Sequence, residues 1–189
     1  MRLKSPRIAP LTDAELSPEQ QEAVASVSQG RPLLNIFRTL ARGPRALTAF
    51  LAWGGYILSK KNDLPPRERE IVILRIGYLC RSGYEWTQHT RIGLGVGLTE
   101  AEIEAIKQGA QAPIWSEADK ALIRAADDLH HDQFVSDAAW SDLTRHFTEK
   151  QCMDVVFTAG QYTQVSMMLN TFGVQLDEGQ VLDPDLKGF

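Results

Sequence analysis

A glutamate and a histidine, Glu85 and His89, stand four residues apart in a stretch of helical character. On a helix this spacing places the two side chains on one face, one turn apart. A carboxylate beside an imidazole forms a proton-transfer pair, because it fixes the ring tautomer and raises the imidazole pKa toward the working pH. The pair therefore predicts general acid–base chemistry.

A second carboxylate, Glu70, leads into a segment that is apolar on almost every side. Such a segment is typical of a buried helix, and a buried carboxylate is unfavourable unless it is paired. We therefore expect Glu70 to face the glutamate–histidine pair and to complete a three-residue acid–base cluster. An ion pair with Arg67 or Arg75 near the start of the helix would explain Glu70 equally well.

Proline and glycine divide the chain into helical segments, and no run of alternating strand residues and no internal repeat is present. This pattern predicts an all-α fold in a single domain, 1–189, with an extended C-terminal tail, 173–189. A central buried helix is expected to begin at 64–66 and to end or bend at 82–83. The other expected helices cover 18–30, 33–40, 44–58, 84–93, 99–109, 116–128, 136–146 and 148–170.

Composition excludes several classes of function. The net charge of −4 argues against sequence-independent nucleic-acid binding, which depends on clustered Lys and Arg. The N-terminal residues lack the apolar core of a secretory signal, and no apolar run is long enough to span a bilayer. The two cysteines, Cys80 and Cys152, form no disulfide framework. We therefore expect a cytoplasmic protein that has no membrane or nucleic-acid partner.

Three motifs resemble the carboxymuconolactone decarboxylase family, which includes alkylhydroperoxidase D. They are Arg67-Glu-Arg-Glu70 before an apolar helix, Tyr84-Glu-Trp followed by Gln88-His89, and Gly97-Leu-Thr-Glu-Ala-Glu-Ile. The resemblance is strongest over 45–106. It implies an all-helical fold of the alkylhydroperoxidase D type that assembles as a homo-oligomer, commonly a dimer, trimer or hexamer.

One departure from the family pattern concerns the peroxidase members, which carry a Glu, then Cys-x-x-Cys, then a His. Glu70 and His89 match the Glu and the His, but Ser82 and Glu85 stand where the two cysteines are expected. A dithiol peroxidase needs one thiolate to attack the peroxide and a second thiol to resolve the sulfenic acid. The resemblance therefore favours the decarboxylase branch over the peroxidase branch.

The decarboxylase branch acts on a small lactone that bears carboxylates, and the dienolate left by loss of carbon dioxide must be protonated at carbon. The resemblance implies that His89 delivers this proton. Ser82 and Tyr84 are candidate hydrogen-bonding neighbours, and Arg75 or Arg91 are candidate anchors for substrate carboxylates. We expect decarboxylation or isomerisation of a small anionic lactone or carbonyl compound, without a cofactor or a metal.

Three alternatives stay open at the level of the sequence. The protein could be a peroxidase that uses Cys80 alone. It could be a mononuclear metal enzyme, although two carboxylates and one imidazole supply only part of the usual facial triad. It could also be a non-catalytic module that binds small molecules or supports assembly.

Overall fold

The computed structural model describes residues 1–28, 30 and 32–187. Within these residues the protein is all-helical, with nine α-helices and no strand, so the predicted fold class is confirmed. Short 3₁₀ turns cover Asp13–Glu15, Gly109–Gln111 and Pro184–Leu186. The helices are α1 (Pro18–Ser28), α2 (Asn35–Leu40), α3 (Pro44–Ile57), α4 (Pro66–Leu79), α5 (Gly83–Gly95), α6 (Glu100–Gln108), α7 (Glu117–Asp132), α8 (Asp137–His146) and α9 (Glu149–Phe172).

Several helices begin where the sequence supplies a capping side chain or a proline. Thr99, Ser116 and Thr148 each accept a hydrogen bond from the backbone N–H three residues on, and the side chain at that position bonds back to the capping residue. Proline occupies the first position of α3 and α4, where its missing N–H is not needed. At the other end of the chain, α9 stops at Gly173, whose φ of 71° is a left-handed conformation.

Helix α4 forms the centre of the core, and α5, α7 and α9 pack around it. Its residues from 69 to 77 are all buried, which explains why the sequence is apolar on every side of this helix. Two further apolar clusters lie under α1, α2 and α3, and the one that contains Ile36 also includes residues of α9. The core therefore surrounds α4, the helix that carries Glu70.

Helix α7 differs from its prediction, because it runs to Asp132 rather than to 128. Leu129 packs against the main core, which gives the extra turn an apolar contact. Asp128 accepts hydrogen bonds from the backbone and the hydroxyl of Ser136, at 2.9 and 2.7 Å, so it joins α7 to the start of α8. The turn ends at Gln133, in a left-handed conformation.

The segment after α9 lies against the N-terminus and α5. The amino group of Met1 donates to the carbonyl of Leu186 at 2.6 Å, and a methyl of Leu182 occupies the space that a side chain at Gly83 would need. The predicted tail is described as far as residue 187, and its last two residues lie outside the described part of the chain. Among the helices described here, none is both long and apolar enough to cross a membrane.

Candidate active site

Helices α4 and α5 bring the acid–base residues together through a tight connection. Arg81 adopts a left-handed conformation with φ of 52°, and the chain then turns into α5 at Gly83. Gly77 of α4 faces Glu85 of α5. A Cβ atom placed there would stand 3.4 Å from Cγ of Glu85, so a larger side chain would push Glu85 out of position.

The three residues predicted to form a cluster are in contact and buried. Nδ1 of His89 and Oε2 of Glu70 are 2.7 Å apart, and Nε2 of His89 and Oε1 of Glu85 are 2.9 Å apart. All three side chains are at least nine-tenths buried. The structure thus pairs Glu70 with the imidazole, whereas Arg67 pairs with Glu102 and Asp119 and leaves Glu70 to the cluster.

The arrangement fixes the charge of the ring. A neutral imidazole would turn one bare nitrogen lone pair toward a carboxylate, whereas an imidazolium presents an N–H to each. Burial by itself lowers the pKa of His89, but the charges of Glu85 and Glu70 and their hydrogen bonds outweigh it and raise this pKa to about 10. The cluster therefore holds an extra proton at neutral pH.

A cavity of about 420 Å³ opens beside this cluster. Glu85 and His89 line it, whereas Glu70 holds the ring from behind and is not among the lining residues. The remaining wall is mostly apolar and comes from α5 itself and from four other helices, α1, α2, α3 and α9. Its lining residues are Ser26, Val27, Leu34, Ile36, Phe37, Phe50, Leu51, Gly54, Gly55, Leu58, Tyr84, Gln88, Arg91, Ile92, Tyr162 and Val165.

Tyr84 lines the cavity, as expected for a neighbour of the cluster, but its hydroxyl has a partner. It donates to Asp177 at 2.7 Å, and Gln88 donates to the same carboxylate oxygen at 2.7 Å. Burial, followed by the hydrogen bond to Asp177, raises the pKa of Tyr84 well above its ordinary value. Both side chains are therefore held as part of the cavity wall.

The other candidate binding residues are not all at the cavity. Arg91 lies on its exposed rim, and no described carboxylate pairs with it. Arg75 is engaged elsewhere, since its guanidinium pairs with Asp127 and donates to the carbonyls of Ile106 and Lys107. Ser82 is fully buried at the junction before α5 and does not line the cavity. Of these three residues, only Arg91 lines the cavity.

Neither cysteine contacts the three residues of the cluster in the described part of the chain. Cys80 is half-buried at the end of α4, with Sγ 3.6 Å from Nδ1 of His130. Burial raises the pKa of the Cys80 thiol above its ordinary value, and burial also raises that of Cys152. A peroxidase cysteine needs a lowered pKa, so the surroundings of Cys80 do not favour the single-cysteine alternative.

Sequence reasoning did not find Tyr162 of α9, which lies next to the cluster. Its ring packs edge to face against the imidazole of His89, with the ring centres 4.8 Å apart. Helical spacing shows that Tyr162 shares a face with Thr158 and Val165, but no local signal indicates which helix this face meets. The contact spans more than seventy residues of sequence and is decided by the packing of α9 on α4 and α5.

The fold agrees with comparisons to known proteins. Residues 44–128 match the carboxymuconolactone decarboxylase family, a stretch that includes the 45–106 over which the motifs resemble the family most strongly. Over this stretch the chain is similar to that family. No curated protein matches the sequence.

Several solved structures share the fold of this chain at low sequence identity. The alkylhydroperoxidase AhpD core protein from Ralstonia eutropha JMP134 superposes with a TM-score of 0.78 at 19% identity, over 90% of this chain and 93% of that one. A peroxidase-related protein from Silicibacter sp. TM1040 gives 0.77 at 14%, over 98% and 97%. The debrominase Bmp8, as an alanine variant with bound 2,3,4-tribromopyrrole, gives 0.77 at 14%, over 93% and 94%. At these identities the likeness concerns the fold.

Proposed function

We propose that this protein is an enzyme that moves a proton to or from carbon in a small anionic lactone or carbonyl compound, by decarboxylation or isomerisation. One observation carries the proposal: a buried imidazolium, His89, is held between two carboxylates at the wall of a cavity large enough for such a compound. Acid–base groups with strongly shifted pKa values in a cavity are typical of catalytic sites.

The geometry indicates which group meets the substrate. Both ring nitrogens of His89 face carboxylates, so the ring cannot contact a ligand through nitrogen without displacing one of them. Glu85 lines the cavity and uses only Oε1 on the ring, and no described residue bonds its Oε2. We propose that Glu85 passes the proton between His89 and the bound compound, while Glu70 keeps the ring charged and oriented.

In a decarboxylation the bond between carbon and the carboxylate breaks, its electron pair enters a conjugated enolate, and carbon dioxide leaves. The enolate carbon then takes a proton from the cluster, and water entering the cavity restores the proton. The guanidinium of Arg91 at the rim is suited to hold a second carboxylate of the compound. In an isomerisation the same cluster would remove a proton at one carbon and return it at another.

The test is incubation of the protein in D₂O with 4-carboxymuconolactone, related lactones and β-keto acids, with the products followed by NMR. We expect deuterium at carbon in the product. We expect Glu85→Gln and His89→Gln to lower turnover by about 10²–10⁴-fold, the usual contribution of a positioned acid or base. Circular dichroism melting establishes that each variant folds.

Cys80→Ser is the control, because Cys80 lies outside the cavity. Turnover retained in Cys80→Ser and lost in the cluster variants supports the proposal. Turnover retained in folded Glu85→Gln and His89→Gln contradicts it. Peroxide consumption that depends on Cys80 would instead favour the peroxidase alternative, and saturable binding without turnover would favour the binding module.

A further inference from the structure

Most polar groups that line the cavity are engaged with other parts of the protein. Tyr84 and Gln88 donate to Asp177, and His89 is held by the two glutamates. Tyr162 is different, because its hydroxyl forms no hydrogen bond with any residue that the structure describes. The hydroxyl of a buried tyrosine normally has a hydrogen-bond partner. Because the hydroxyl of Tyr162 has none in the described protein, it is available to a ligand.

The position of Tyr162 is fixed by its surroundings. The residue is 95% buried, with an exposure of 5%, and its ring stands at 82° to the imidazole of His89. It lines the cavity together with Glu85 and His89, so a bound compound that meets the acid–base cluster also lies beside the phenol.

The protonation state of Tyr162 makes it a donor. Burial, and then the negative charges of Glu85 and Glu70, raise the pKa of its hydroxyl well above the ordinary value. The group therefore keeps its proton at every pH at which the protein would work. A neutral phenol in an apolar cavity can donate to a negatively charged oxygen without carrying a charge itself.

A buried cation balances the charge in this region. Arg69 is 93% buried, with an exposure of 7%, and no described carboxylate pairs with its guanidinium, which donates to the carbonyl of Ser59 at 3.3 Å. Its charge acts on Tyr162 in the direction that lowers the phenol pKa, so it favours negative charge there. The net charge of −1 on the two glutamates and the imidazolium is thus offset close to the phenol.

We propose that the Tyr162 hydroxyl donates a hydrogen bond to the negatively charged oxygen of the ligand, which makes this cavity a binding site for planar enolates and phenolates. The inference rests on the proposed function, in which such an enolate is formed. In that reaction the phenol of Tyr162 stabilises the negative charge that develops on the carbonyl oxygen, while Glu85 and His89 transfer the proton to or from carbon.

The test uses 4-nitrophenol as the probe, because its absorbance separates phenol from phenolate, and measures its dissociation constant and bound pKa by titration. We expect Tyr162→Phe to weaken phenolate binding by roughly 10- to 100-fold, the value of a hydrogen bond to a charged group. We also expect the bound pKa of the probe to rise in this variant. Tyr78→Phe is the matched control, since Tyr78 packs against Trp86 outside the cavity.

Nitrobenzene is the matched ligand, because it has the same shape and lacks the hydroxyl, and its binding should be equal in the wild type and in Tyr162→Phe. Equal phenolate binding in those two proteins overturns the inference, as does a wild type that binds nitrobenzene but no phenolate, or neither. A phenolate site that depends on Tyr162, in a protein without turnover on any compound, supports the site and contradicts the proposed function.

Discussion

His89 keeps its positive charge inside the protein because each ring nitrogen faces a carboxylate. An isolated imidazolium would lose its proton on burial, since desolvation disfavours the charged form. Two carboxylates on opposite sides of the ring reverse this effect and hold the proton well above neutral pH. Removing either glutamate would leave the buried charge of the imidazolium only partly compensated. The protonation of His89 therefore depends on both glutamates.

The titration of His89 tests this view without any substrate. NMR of the imidazole in the wild type should show an imidazolium throughout the neutral range, with deprotonation near pH 10. Glu85→Gln removes one of the two charges that raise the pKa, so we expect titration at a lower pH. A wild-type ring that titrates near 6.5, the ordinary value for histidine, would contradict the assigned charge state.

At the scale of elements, the segment after α9 fixes one wall of the cavity. Asp177 accepts hydrogen bonds from the hydroxyl of Tyr84, from Gln88 and, at 2.8 Å, from the backbone N–H of Asn35. One carboxylate thus joins α5, the start of α2 and the tail. The three donors need this acceptor, because buried donors without a partner are unfavourable.

Asp177→Ala should therefore destabilise the protein by about 1–3 kcal/mol, the cost of buried donors left without a partner. It should also speed limited proteolysis of the tail, because one of its attachments is lost. Denaturant unfolding and timed proteolysis measure the two effects. Glu178→Ala is the matched control, because Glu178 is an exposed neighbour with no side-chain partner among the described residues. Equal behaviour of the two variants would contradict the role of Asp177.

At the scale of the whole molecule, buried ionised groups make stability depend on pH in two directions. The pKa of His89 is raised in the folded state. Its contribution to the free energy of unfolding is therefore complete below pH 6.5, the ordinary pKa of histidine, and is lost as pH rises toward about 10. Burial raises the pKa of Asp119 and Asp154, but hydrogen bonds, chiefly from Arg67 and from Tyr56, outweigh this and lower it. Their contribution is present above the unfolded value of 3.8 and is lost as pH falls below it.

The free energy of unfolding should therefore be highest between these limits and fall as pH rises from 6.5 toward about 10. Chemical denaturation at a series of pH values measures it. The alkaline decrease should be smaller in His89→Gln, which lacks the titrating ring. A decrease of the same size in both proteins would assign the alkaline loss of stability to other groups.

Assembly is also a property of the whole molecule, and the homo-oligomer implied by the family resemblance stays a prediction. Large apolar side chains are exposed on several helices, among them Phe134 and Trp140 near α8 and Met167 on α9. Sedimentation of the purified protein measures its size in solution.

The sequence by itself determined the fold class and most helix boundaries, because these depend on local chemistry. Capping boxes at Thr99, Ser116 and Thr148 and prolines at 44 and 66 act within one turn of the residues that carry them. The grouping of Glu85 with His89 is equally local, since one helix sets it. The need of a buried carboxylate for a partner made Glu70 a candidate for the same cluster, but the tertiary structure decided between His89 and the arginines.

Only the tertiary structure decided which residues surround the cluster. Arg75 lies in the same buried stretch of α4 as Glu70, yet its guanidinium pairs with Asp127 and donates to the carbonyl of Ile106 in α6. No spacing in the sequence indicates these partners. Tyr162 and Asp177 reach the site from distant parts of the chain through the packing of α9 and the tail. Such contacts depend on how helices pack against one another, which is set by shape and burial over the whole core rather than by any local signal.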